Sequence, residues 1–153
     1  MTGDLKTQGP SLRARALRLL ARREHSRHEL ARKLAAHAQD PAELESVLDA
    51  LEAQGWLSER RVVEQIVHAR RSRFGARRIA RELVEKGIGE EAVAAAVQTL
   101  KEDEVESAQA VWRKKFAHLP RTAAERARQV RFLQGRGFGF DAIMKVVKGE
   151  DEQ

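Results

Sequence analysis

Six arginines, Arg70, Arg71, Arg73, Arg77, Arg78 and Arg81, fall between positions 70 and 81 with no acidic residue among them. A guanidinium is planar and permanently charged, and it grips phosphates or carboxylates through paired N–H donors. Such a cluster is equipped to bind anions. The competing possibility is a solvated face, rich in Arg because helices accept Arg readily. Recurrence of the same charge segregation along the chain favours binding. Lys114 and Lys115 after Trp112, and Arg126, Arg128, Arg131 and Arg136 further on, extend the basic character. The chain has no Asn, and Gln is scarce in the basic stretches, so the amide side chains that read adenine are missing. Sequence-independent contact is expected, although a basic three-helix unit also resembles a helix-turn-helix module.

Other chemistries lack their parts. Gly135-Arg136-Gly137-Phe138-Gly139 is glycine-rich, but it follows a helical pattern and has no Lys followed by Ser or Thr. It reads as a helix stop and tight connection that returns Phe138 to the core, not as a phosphate loop. Phe132 and Phe140 are at helical spacing and stay open between core positions and exposed anchors for a partner. His25 and His28 straddle a helix start and do not share a face, His37, His68 and His118 are isolated, and Cys is absent. No metal site and no cofactor are expected. Without a GxSxG, a cysteine nucleophile or acids in apolar settings, no enzyme is expected either.

Helices must carry these residues. Twenty-four Ala, twenty-one Arg and only seven aromatics in 153 residues form a helix-favouring alphabet, which predicts an all-α fold. Ser11, Ser26-Arg27-His28-Glu29, Asp40-Pro41-Ala42-Glu43 and Thr122-Ala123-Ala124-Glu125 are helix starts, the second and fourth in capping-box form. Gly55, Gly75, Gly87 and Gly137 follow apolar-periodic runs and are expected to close helices at positive φ. The periodicity predicts nine helices, near 11–24, 26–37, 41–54, 58–73, 75–86, 89–101, 103–118, 122–135 and 139–148.

The nine are three copies of three. A shift of 50 places Gly87-Ile88-Gly89 on Gly137-Phe138-Gly139 and Leu83 on Leu133, and a shift of 49 places Leu30 on Ile79, Leu34 on Leu83 and Leu48 on Val97. The expected organisation is a tail at 1–10, three-helix repeats at 11–57, 58–102 and 103–148, and an acidic tail at 149–153. A unit of this size buries a small core, so successive repeats should lean on one another in an elongated, curved array. Charge follows the same period: the first two helices of the three repeats sum to +18 and the third helices to −12, leaving a net +6. No apolar run reaches the ~20 residues of a membrane helix, and Met1 to Pro10 resembles neither a signal nor a transit peptide. A cytoplasmic monomer, with no membrane partner, is the expectation.

Ala16 through Leu30 and Leu48-Asp49-Ala50-Leu51-Glu52-Ala53-Gln54-Gly55-Trp56-Leu57 resemble the first repeat of the RecX regulatory proteins. Phe74 through Ile88 and Arg131-Phe132-Leu133-Gln134-Gly135-Arg136-Gly137-Phe138 are similar to that family's other two hallmark stretches, and the resemblance covers 12–148 in order. Trp56 stands where the family usually has Tyr, Ser58 to Val63 lacks the usual acidic pair and Phe, and Gly135 replaces a longer side chain.

The resemblance implies a non-enzymatic inhibitor of the RecA recombinase that lodges in the groove of the RecA filament on single-stranded DNA. It would restrain filament growth, strand exchange, ATP turnover and co-protease activity. On that basis Arg70, Arg71, Arg73, Arg77, Arg78 and Arg81 form the main contact with RecA filament and DNA, supported by Lys114, Lys115, Arg128 and Arg131. A sequence-independent DNA-binding protein that only coats single- or double-stranded DNA is the alternative.

Overall fold

A computed structural model describes residues 9–149. The described residues form nine α-helices: α1 Leu12–Arg22, α2 Arg27–Leu34, α3 Pro41–Ala53, α4 Glu59–Arg70, α5 Ala76–Glu85, α6 Glu90–Glu102, α7 Glu104–Lys115, α8 Ala123–Gly135 and α9 Phe140–Lys148. A 3-10 turn, Ala35–His37, follows α2, and no strand occurs among the described residues. The predicted tails lie, apart from residues 9, 10 and 149, outside the described part.

The helix starts are held by the expected side chains. Ser11 Oγ accepts the Ala14 amide at 3.0 Å, and Asp40 Oδ1 accepts the Glu43 amide at 2.9 Å with Pro41 in the first turn. Ser26 and Glu29 form the full capping box. The box expected at Thr122 is only half built: Thr122 Oγ1 accepts from Glu125 N at 3.1 Å, but the Glu125 carboxylate reaches one residue further back to the Arg121 amide at 2.8 Å. The Thr122 oxygen satisfies an amide that the helix leaves without a partner, and the Glu125 carboxylate ties down the residue before the cap.

The chain divides into two compact units. One ends at Val62 and also takes in Lys86–Ile88; the other holds Val63–Glu85 and continues from Gly89. In the first, α1, α2 and α3 pack together around Leu12, Ala16, Leu30, Leu34, Leu48, Leu51 and Leu57. In the second, α9 packs on α7 and α8 around Ala108, Val111, Leu133, Phe138, Ile143, Val146 and Val147, while α5 packs on α6. Each fully buried Leu or Ile contributes about 1.5–3 kcal/mol relative to exposure. Phe138 is 1% exposed, as the helix-stop reading of its loop requires. The Phe138 amide donates to Leu133 O and the Gly137 amide to Gln134 O, the paired bonds of a Schellman stop whose following residue packs back on the helix.

Gly55, Gly87 and Gly137 have positive φ, but Gly75 does not. Its small size is required for a different reason. A Cβ on Gly75 would stand 2.6 Å from the Gly137 carbonyl oxygen, because the turn between α8 and α9 lies directly against the start of α5.

Candidate functional site

The second unit places two turns side by side. Gly75 N donates to Arg136 O at 2.8 Å and Arg77 N to Gly137 O at 3.1 Å, so the end of α8 is bonded to the beginning of α5. Around this joint the arginines are sorted by partner. Arg73, Arg78 and Arg136 surround the Phe74 ring, with guanidinium carbons 5.4, 4.4 and 5.5 Å from its centroid. Arg136 also lies 5.0 Å from the Phe132 ring and donates to Arg73 O at 3.4 Å. Lys115 is 5.5 Å from the same Phe132 ring, which meets Phe116 edge-on with centroids 5.5 Å apart.

The electron-rich faces of the rings offset part of the repulsion among these cations, each contact contributing about 0.5–1 kcal/mol at exposed sites. The remainder is positive charge concentrated near an aromatic surface. Phosphates would relieve it, and an unstacked base could lie on the ring.

The six clustered arginines therefore divide. Arg73 and Arg78 belong to the Phe74 patch, and Arg77 and Arg81 are exposed on α5. Arg70 is held by Glu82 at 2.9 Å, which raises its pKa further, and Arg71 reaches Asp103 at 3.4 Å. The stretch is free of acids in sequence, but folding brings two carboxylates to it. Lys114 lines a groove of about 440 Å³ with Arg71, Ser72, Asp103, Glu106 and Ser107, so that surface presents both signs of charge. Arg128 and Arg131 are exposed on α8, and neither is among the cations around the Phe74 ring.

Phe74 and Arg136 were missing from the sequence-derived site. A single aromatic between Arg73 and Arg77 was the available signal for Phe74. Arg136 belongs to the basic stretch that extends the cluster, but its placement beside Phe74 had no local signal, since it arrives from the end of a helix sixty residues away. Phe132 proves to be a half-buried part of the patch, whereas Phe140 is 61% exposed at the start of α9. His25 is buried, its Nδ1 paired with Arg23 O and its Nε2 with Lys33 Nζ, each at 3.0 Å. No grouping of His, Cys, Asp and Glu suited to a metal occurs among the described residues.

Three family models match in order: RecX, first three-helix domain, over 13–51; second three-helix domain over 58–97; third three-helix domain over 102–147. The chain belongs to the RecX family. A "Regulatory protein RecX" of Leptothrix cholodnii is 50% identical over 94% of this chain and 91% of its own length. One from Ralstonia nicotianae is 45% identical over 96% of this chain and 92% of its own length. The crystal structure of RecX from Lactobacillus salivarius superimposes with a TM-score of 0.77, covering 90% of this chain and 92% of that one at 19% identity, and so shares the fold. The chain is thus a helical member of a family of regulatory proteins, with three RecX three-helix domains in tandem. Among the described residues no helix is long and apolar enough to cross a membrane.

Proposed function

We propose that this RecX-family chain is a cytoplasmic negative regulator of the RecA recombinase, acting without catalysis. It binds in the groove of the RecA–single-stranded DNA filament and restrains filament growth, strand exchange, ATPase and co-protease activity, and through these recombinational repair and the SOS response. The observation that carries the reading is the Phe74 patch, where Arg73, Arg78 and Arg136 from two bonded turns surround one ring. Arg77, Arg81, Lys114, Lys115, Arg128 and Arg131 add positive surface around it in this proposal. Arg70 and Arg71, held by Glu82 and Asp103, make that surface mixed in sign. A mixed surface suits a nucleoprotein, where carboxylates and phosphates lie together, better than bare DNA. The proposed working unit is a monomer of three repeats, 11–57, 58–102 and 103–148.

RecA ATPase on single-stranded DNA, titrated with this protein, tests it. Inhibition well below one protein per exposed DNA site supports action on the filament. Inhibition only when the DNA is saturated overturns the proposal and leaves the DNA-coating alternative.

A further inference from the structure

The first unit carries a cationic groove that none of the sequence signals pointed to. Arg15, Arg18 and Arg22 recur along α1 at i, i+3 and i+7, which sets them in one stripe. Lys33, from the last turn of α2, and His37, from the 3-10 turn that follows, face them across a cavity of about 710 Å³. Leu19 and Ala21 line it too, above the buried Leu34, and no acidic side chain does.

We infer that this groove docks an acidic amphipathic helix from a protein partner, its carboxylates on Arg15, Arg18, Arg22 and Lys33 and its apolar residues on Leu19 and Ala21. A stripe of three arginines and Lys33 beside an apolar lining match the charges and the apolar stripe of such a helix, in the manner of helix-in-groove recognition. Nucleic acid is the other polyanion to consider. Single strands are held by stacking successive bases on rings as well as by charge, and this groove's lining has one ring, the His37 imidazole, and no Phe, Tyr or Trp. The Phe74 patch of the second unit has the Phe rings that this groove lacks. The inference is independent of the RecA proposal, since it rests on different residues and on the chemistry of the groove alone.

The test is fluorescence anisotropy of the full chain with a labelled synthetic helix of about 14 residues, four turns, having Leu on one face and Glu on the rest. The expected result is saturable binding that weakens at least about tenfold when Arg18→Glu and Arg22→Glu are combined. Arg77→Glu with Arg78→Glu should leave peptide binding unchanged. An oligo-Glu peptide without Leu should bind at least about tenfold more weakly than the amphipathic one. Far-ultraviolet circular dichroism checks that each variant keeps its helicity. Peptide binding unaffected by the Arg18 and Arg22 reversals overturns the inference. So does a loss confined to oligo-dT binding in that variant, which would make the groove a nucleic-acid site.

Discussion

Gly137 lies so close to Arg78 that a Cβ built on the glycine would stand 2.5 Å from the arginine Cβ. The same joint occurs in the first unit, where a Cβ on Gly87 would stand 2.4 Å from that of His28. Each contact joins the turn that ends one second helix to the first turn of another: Ser26 Oγ donates to Lys86 O at 2.5 Å, and Gly75 N to Arg136 O at 2.8 Å. Within the second unit the negative end of the α8 dipole thereby meets the positive end of the α5 dipole, which favours the contact electrostatically.

Gly137→Ala and Gly87→Ala should each lower the denaturant midpoint by an amount equivalent to about 2 kcal/mol or more, because positive φ and a steric clash act together. Gly55 has positive φ with nothing within 4 Å of an added Cβ, so Gly55→Ala should cost only about 1 kcal/mol. Equal losses at Gly55 and Gly137 would remove the clash from the explanation.

Phe74→Leu keeps apolar bulk but removes the ring around which Arg73, Arg78 and Arg136 gather. It should weaken binding to single-stranded oligo-dT by about 1–3 kcal/mol, the range for loss of one stacking platform. Arg77→Glu with Arg78→Glu should reduce RecA inhibition with helicity unchanged. Full inhibition by that double variant would identify the cluster as a solvated face.

Arg81 and Arg70 should differ in salt dependence. Arg70 is already held by Glu82, whereas no ion pair joins Arg81 to a described residue. Arg81→Gln should therefore lower the slope of log binding constant against log salt for oligo-dT by up to about 0.7, and Arg70→Gln by less. Equal slopes in the two variants would contradict this assignment.

Acid should destabilise the first unit in two stages. Burial lowers the His25 pKa below 6.5, with Arg23 and Lys33 adding to it against the pull of the Arg23 carbonyl. Burial acts to raise Glu29, but hydrogen bonds from Arg23, the Ser26 amide and Lys86 overcome it and bring the pKa to about 2 from 4.5. Both folded values lie below the unfolded ones, so both contributions are complete above the unfolded pKa and are lost as pH falls. The window opens near 6.5 for His25 and runs from about 4.5 to about 2 for Glu29. The Glu29 contribution is on the order of 2–3 kcal/mol at neutral pH. Thermal melts should show His25→Gln flattening the upper part of the profile and Glu29→Gln the lower. An unchanged profile in either variant would refute its assigned role.

Gln129 is 2% exposed and bridges two groups: Trp112 Nε1 donates to its Oε1 at 2.8 Å, and its Nε2 donates to His118 O at 3.1 Å. Gln129→Leu should cost about 1–3 kcal/mol by leaving a partly buried indole N–H and a carbonyl without partners, read as a lower denaturant midpoint. Wild-type stability in that variant would show that water replaces the amide at no cost.

Much of this protein was legible from local sequence. Helix starts at Ser11, Ser26, Asp40 and Thr122, the stops at Gly55, Gly87 and Gly137, and the core stripes from Leu30 to Val147 depend on near neighbours, so the chain alone determines them. So does the threefold repeat, because each copy must bury the same face. Only the tertiary structure decided which charges meet and what stands between them. Glu82 and Asp103 come to Arg70 and Arg71, Arg136 comes to Phe74, and Arg22 and Lys33 come to line one cavity. Helical periodicity assigns a residue to a face of its own helix. What another helix brings to that face depends on how the turns at Gly87 and Gly137 pack, a contact between residues far apart in the chain.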